Sequence, residues 1–245
     1  MKRILAGALF LLGSQCWAID QVTPFEVTNG LVFQWGMKEG SGSTTLDKSG
    51  NSDTGTLGSG ASWGSDGQYG TAVDLDGTVN GYVDGTTTSD TNYTGAITIC
   101  GRVNVDDFQA NGFQVAEKCA GNGASECPFE FHIDASMMYL VRSNSSYCAY
   151  NTVSKSFSTG QSYEVCSSVA DGHLATQAKF YVDGANVSGE SLVSCHVALS
   201  GDASGSGTVI RAGERRDGAI KADGRMQQVR IWNRALSADE IAIIK

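Results

Sequence analysis

The sequence predicts an all-β fold, an antiparallel sandwich of two sheets with a short C-terminal helix. Three observations point there. The chain of 245 residues holds 31 glycines and 2 prolines, without a collagen-like period. Asp-Gly stands at 66, 76, 84, 171, 183, 217 and 223 and Asn-Gly at 29, 80, 111 and 122. These dipeptides favour type I′ hairpin turns, because both central residues tolerate positive φ. Between them lie short runs in which apolar and polar residues alternate, the period of a strand with one face on a core and the other toward water. Hydrophobic residues make up 41% and charged ones 18%, which suits a folded domain with one core and excludes a disordered chain.

The first element is set apart from the fold. Lys2 and Arg3, an apolar run from Ile4 to Leu12, and the exit Cys16-Trp17-Ala18 read as a secretory signal peptide over residues 1–18, cleaved near Ala18. The competing reading is a lipoprotein signal acylated on Cys16. The run is about half the ~20 residues a spanning helix needs, so no membrane insertion is expected. Residues 19–245 form the single domain. Loss of Lys2 and Arg3 leaves 15 basic against 26 acidic side chains, a net charge of −11. Such a chain repels phosphate backbones, so no nucleic-acid partner is expected.

Strands are predicted at Leu31–Trp35, Ala72–Leu75, Ala96–Val105, Phe113–Ala116, Phe129–Ile133, Met137–Val141, Tyr163–Val169, Ala178–Val182, Thr208–Ala212 and Met226–Trp232. Phe129, Phe131 and Ile133 alternate with Glu130, His132 and Asp134, and Phe180 and Val182 with Lys179 and Tyr181, so these strands are expected to be half-buried. No amphipathic segment of helical length lies between them, which disfavours a parallel α/β sheet. Gly40–Gly70 and Ser200–Gly207 read as loops. The one helix follows Leu236. Ser237 caps it and Glu240 stands at the capping-box spacing. Leu236, Ile241 and Ile244 form a stripe expected to cover an opening of the sandwich.

Six cysteines follow the leader: Cys100, Cys119, Cys127, Cys148, Cys166 and Cys195. An even count in an oxidising compartment predicts three disulfides, with 15 connectivities open. Cys119 and Cys127 flank a seven-residue flexible loop between two strands, and a bridge between them would staple it. Cys100, Cys148, Cys166 and Cys195 are left for two further bridges of unassigned connectivity. Zinc is disfavoured, because no C-x-x-C pair occurs and His132, His173 and His196 lack ligand spacing.

Three blocks resemble one family, the laminin-G-like jelly rolls of the concanavalin A-like lectin and glucanase group. The first runs from Gly30 to Gly42, with Leu46-Asp-Lys-Ser-Gly-Asn51 and Gly70-Thr-Ala-Val-Asp-Leu-Asp-Gly77 after it. The second is Phe180-Tyr-Val-Asp-Gly184. The third runs from Gly224 through Gln227-Gln228-Val-Arg-Ile231 to Ile241. The resemblance implies a jelly-roll sandwich of secreted or surface proteins that binds glycans or proteins, in some members with calcium. One or two acidic residues usually precede the Val-Arg-Ile stretch. Gln227 and Gln228 stand there instead and remove that charge.

Three sites are candidates. Asp47, Ser49, Asn51 and Asp53 place oxygen-bearing side chains at alternate positions of one loop, a set that suits calcium as a cofactor. The loop is not an EF-hand, since Ser52 replaces its Gly and Gly58 its Glu. Against calcium stands a plain Asx-rich turn. Tyr139, Arg142, Asn144, Tyr147 and Tyr150 lie in or near one loop and offer rings and polar groups to a sugar. Glu130 and Asp134 share a strand face but stand roughly 13 Å apart along it, while glycosidase carboxyls need roughly 5 to 9.5 Å. Catalysis is therefore disfavoured. Asn92, Asn144 and Asn186 open Asn-x-Ser/Thr triplets that mark surface turns and, in a eukaryotic host only, glycosylation. The reading is a secreted, periplasmic or extracellular, non-catalytic module whose partner is a glycan. The alternatives are an adhesive protein that binds an extracellular or surface protein, and a glycan-active hydrolase or lyase.

Overall fold

The computed structural model describes residues 27–86, 95–109, 111–119, 127–144, 147–170, 178–187, 192–193 and 208–244, with the side chains of 143–144, 147–151 and 192–193 outside that description. Along the chain the strands are β1 (Leu31–Trp35), β2 (Thr44–Thr45), β3 (Gly55–Leu57), β4 (Ala61–Asp66), β5 (Gly70–Asp76), β6 (Val83–Asp84), β7 (Ile97–Asp107), β8 (Phe113–Lys118) and β9 (Cys127–Ile133). They continue as β10 (Met137–Asn144), β11 (Tyr147–Ser154), β12 (Ser162–Val169), β13 (Lys179–Val182), β14 (Ala185–Asn186), β15 (Leu192–Val193), β16 (Arg211–Gly213) and β17 (Asp223–Trp232), before α1 (Ala238–Ile243).

Among the described residues all strand pairings are antiparallel and the strands form two sheets. One sheet has eight strands in the order β14-β13-β12-β7-β17-β5-β4, with β1 also on β17; the other has nine, in the order β15-β11-β10-β9-β8-β16-β6-β3-β2. Sequence-distant neighbours such as β7 and β17 give the crossovers of a jelly roll. Phe33, Trp35, Val103, Phe113, Phe129, Phe131, Leu140, Val165 and Ile231 fill the space between the sheets, and each buried apolar side chain of this size contributes about 1.5–3 kcal/mol. Gly101 lets the sheets approach closely: a Cβ there would stand 2.4 Å from Val115 Cγ1.

Each expected strand overlaps an observed one, although Thr208–Ala212 does so only at its end, where β16 begins at Arg211. The segment 40–70, read as loop, also carries β2, β3 and β4. Its apolar alternation is too sparse to announce them, because β4 pairs only with β5 at a sheet edge. The tyrosine-bearing stretch at 147–150 is likewise part of a strand, β11, paired residue for residue with β10.

The turns work differently from expectation. Among the described Asp-Gly and Asn-Gly pairs, only Asp183–Gly184 has both residues at positive φ, 50° and 79°, in the two-residue link between Val182 and Ala185. At Asp66, Asp76 and Asp217 the carboxylate instead accepts from backbone N–H groups two or three residues on. Asp66 Oδ1 accepts from Gln68 at 2.7 Å and Tyr69 at 2.9 Å, and Asp217 Oδ1 accepts from Ala219 at 2.9 Å. These are Asx turns.

The helix has its capping box, with Ser237 Oγ accepting from Glu240 N and the Glu240 carboxylate accepting from Ser237 N. It does not plug an end of the sandwich. Leu236, Ile241 and Ile244 pack with Val27, Tyr181, Trp232, Cys100 and Cys166 into a second cluster. Tyr181 and Trp232 belong to strands of the eight-stranded sheet, and Cys100 and Cys166 are directly paired across β7 and β12. The helix therefore covers part of the outer face of that sheet with apolar residues, and next to them the same face carries the buried ion pairs of Glu164 with Arg102 and Arg230.

Candidate functional site

The outer face of the nine-stranded sheet is polar. Register places Thr56, Asp84, Arg211, Glu117, Glu130, His132, Gln114 and Tyr139 on it through successive cross-strand pairs. Gln114 and Glu117 are an odd number of residues apart and would normally face opposite ways. A bulge at Val115, where the register shifts between Gln114 and Ala116, turns both outward.

The polar side of β9 is not solvated. Glu130 is 1% and His132 6% exposed, which corrects the expectation of a half-buried strand. Part of the cover comes from the hairpin closed by the Glu214–Lys221 bridge. From it Arg216 N donates to Glu117 Oε1 at 2.8 Å, and Arg215 Nη1 approaches Glu130 Oε1 to 3.6 Å. Burial, and then the charge of Glu130, push the Glu117 carboxyl up to about 8.

A line of polar side chains crosses this face. Asp217 pairs with Arg215 at 2.8 Å, Arg215 faces Glu130, and Glu130 Oε1 lies 3.0 Å from His132 Nδ1. The His132 ring stacks on Tyr139 with centroids 4.4 Å apart, and Tyr139 Oη donates to Asp134 Oδ2 at 2.5 Å. Burial raises the Asp134 pKa, but the bonds from Tyr139, Ser136 and Met137 outweigh it and hold the carboxyl below its ordinary value. Tyr139 and Asp134 are half-buried and form the open end of the line. Beside it, the Arg211 guanidinium binds both Asp84 oxygens at 2.7 Å and lies 3.7 Å over the Tyr82 ring. Gln114 Oε1, Glu117 Oε2, Glu130 Oε1 and His132 Nδ1 are buried without a hydrogen-bond partner.

The residues expected to form a sugar site divide. Tyr139 belongs to the polar face. Arg142 shares its strand face with Met138 and Leu140, is 2% exposed, and donates to the carbonyls of Pro128 at 3.0 Å and Gly95 at 2.9 Å. It is a buried staple, not a neighbour of Tyr139. The side chains of Asn144, Tyr147 and Tyr150 lie outside the described residues; their backbones pair within the β10–β11 hairpin. Sequence reading overlooked Gln114, Glu117 and Arg215, which only the fold assembles.

In the expected calcium loop, Asp47 Oδ1 accepts from Gln34 N at 2.9 Å and Ser49 N at 2.8 Å. Its Oδ2 accepts from Ser49 Oγ at 2.8 Å and Asp53 N at 3.2 Å. Asn51 Nδ2 donates to Val32 O at 2.6 Å, and Asp53 Oδ1 accepts from Thr86 N at 2.6 Å. N–H and O–H donors therefore hold the Asp47 oxygens, whereas a cation needs oxygens left bare. Gln227 is 2% exposed, and its amide donates to the carbonyls of Tyr69, at 3.0 Å, and Thr71. Gln228 sits at φ 59° in the bulge beside it.

Two disulfides are present among the described residues, Cys100–Cys166 and Cys119–Cys127. Cys195 and the side chain of Cys148 lie outside the described residues, as do residues 1–18 and Asn92. Asn186 is exposed on β14.

Two antiparallel sheets in jelly-roll order, one with its outer face partly covered by the helix, the other with a polar outer face, define a concanavalin A-like sandwich. The model of the concanavalin A-like lectin/glucanases superfamily matches residues 75–242, and the chain belongs to that superfamily. Among solved structures, domain 4 of AbnA, a GH43 extracellular arabinanase from Geobacillus stearothermophilus in complex with arabinotriose, is similar at TM-score 0.59 and 16% identity. The match covers 86% of this chain and 96% of that one. The binding domain of Paraclostridial Mosquitocidal Protein 1 gives 0.60 and 14%, over 89% of this chain and 52% of that one. The binding domain of botulinum neurotoxin serotype G gives 0.63 and 13%, over 87% and 50%. The chain thus spans about half the length of the two toxin domains. At these identities the likeness establishes the fold. None of the curated proteins compared matches the chain.

Proposed function

We propose that the chain is a non-catalytic carbohydrate-binding module that takes its ligand on the outer face of the nine-stranded sheet, around Tyr139. The observation that carries this reading is the line of polar side chains from Asp217 to Asp134, which ends in an accessible aromatic ring. A sugar presents C–H faces that stack on such a ring and hydroxyls that donate to carboxylates. The arabinotriose held by the similar arabinanase domain supports the same class.

Glu117 and Glu130 are close enough in register to suggest a glycosidase pair, but 0% and 1% exposure keeps them from touching a substrate. That favours binding over hydrolysis. We read the protein as secreted, to a periplasmic or extracellular space, after removal of residues 1–18; two disulfides support that compartment. A glycan array tests the function. Binding to a defined set of neutral oligosaccharides is expected, and a blank array with retention of an extracellular protein would replace it with the adhesive reading.

A further inference from the structure

Two groups of side chains among the described residues bring their ligating atoms within 4.8 Å of one another: Cys100, Glu164 and Cys166, and Cys119, Cys127 and Glu130. All six residues are buried, and in each group the cysteines are bonded to each other. The carboxylates differ. Glu164 is occupied on both oxygens, Oε2 by Arg102 at 2.9 Å and Oε1 by Arg230. Glu130 Oε1 has no hydrogen bond, nor has His132 Nδ1, 3.0 Å from it. Arg215 Nη1, at 3.6 Å, is beyond hydrogen-bond length.

The backbone explains how these atoms meet. Glu130 and His132 are two apart on β9 and share a face. Cys127, three residues before Glu130, would face the other way in a regular strand. Between Val141↔Glu130 and Ser143↔Cys127 the register shifts by one residue, and this bulge at Pro128 brings Cys127 round to the Glu130 side. Cys119 arrives directly after β8, the neighbour of β9. A buried polar atom without a hydrogen bond costs about 1–3 kcal/mol, and Glu130 Oε1 and His132 Nδ1, facing each other at 3.0 Å, are two such atoms on the strand that carries Cys127. Two sulfurs and one carboxylate oxygen stand together; His132 lies outside that group but has its Nδ1 3.0 Å from Glu130 Oε1, and its imidazole nitrogen would complete the donor set of a tetrahedral zinc site once the S–S bond opens.

We propose that Cys119, Cys127, Glu130 and His132 form a binding site for Zn²⁺ when the Cys119–Cys127 pair is in its dithiol form, and that the disulfide is the closed state of this site. Opening transfers two electrons and two protons from a dithiol reductant to the S–S bond, and the reductant leaves as its own disulfide. Metal binding then releases the two thiol protons to solvent, and S–Zn bonds replace S–H bonds. Oxidation by a disulfide exchanger expels the ion and restores the S–S bond.

The test uses the full chain, reduced with a phosphine under inert gas and titrated with Co²⁺ as a visible probe for the zinc site. One Co²⁺ per chain is expected, with a thiolate charge-transfer band and tetrahedral d–d bands, displaced by Zn²⁺. The oxidised chain should bind none. Cys119→Ser should abolish the thiolate band, and Glu130→Gln and His132→Ala should each weaken Co²⁺ by about tenfold or more, with the circular dichroism of the sheets retained. The proposal is overturned by a reduced chain that binds no stoichiometric Co²⁺, folded or not, or by affinity unchanged in both the Glu130 and His132 variants.

Discussion

Glu117 and Glu130 stand directly opposite each other on neighbouring strands, and neither reaches solvent. Two carboxylates in one buried layer cannot both ionise cheaply. Burial and the facing charge of Glu130 raise Glu117 to about 8, against which the Arg216 N–H and the charges of Arg216 and Arg211 act only in part. Glu117 therefore keeps its proton at neutral pH.

The sign of its pH dependence follows. The unfolded carboxyl titrates near 4.5, so between that value and about 8 the folded chain holds the extra proton. The stability Glu117 contributes is complete below pH 4.5 and is lost as pH rises through 8. Glu117→Gln mimics the protonated form and should stabilise the fold at pH 9, relative to the native chain, by on the order of 2–4 kcal/mol. Urea unfolding at pH 5 and pH 9 checks this. An identical pH slope in the variant would contradict it.

The Asp47 loop is held by its own hydrogen bonds, so calcium should add little. Melting with excess chelator and with millimolar calcium is expected to give the same midpoint. A rise of several degrees with calcium would restore the cation to this loop.

Gln227 uses an amide donor against the carbonyls of Tyr69 and Thr71. Gln227→Glu puts an acceptor where a donor is required and leaves a buried charge beside two carbonyl dipoles. A loss of about 3 kcal/mol or more is expected by chemical denaturation. Stability within 1 kcal/mol of the native chain would show that these bonds carry nothing.

Much of this architecture was legible in the chain. The alternation at Leu31–Trp35 or Phe129–Ile133 marks strands regardless of what covers them, and Ser237 with Glu240 marks a helix start. The polar layer was not legible for a physical reason. Alternation says that Glu130 and His132 leave the core, but not whether they meet water or Arg215, a residue 85 positions on from Glu130. Glu117 was cut off as a polar strand end, because the bulge at Val115 that turns it toward Glu130 has no local signature. Arg142 looked like a surface partner of Tyr139, but simple alternation places residues three apart on opposite faces. The expected glycan group therefore keeps Tyr139 and gains the polar line behind it.

The central claim is that Tyr139 is the ring on which a sugar stacks. The direct measurement is titration calorimetry of the native chain, Tyr139→Phe and Tyr139→Ala with the strongest oligosaccharide from the array. Melting curves confirm that each variant is folded. Tyr139→Phe keeps the ring and should retain most of the affinity, while Tyr139→Ala should lose about tenfold, the worth of a stacking contact of about 1–1.5 kcal/mol. Native affinity in a folded Tyr139→Ala variant would contradict the site.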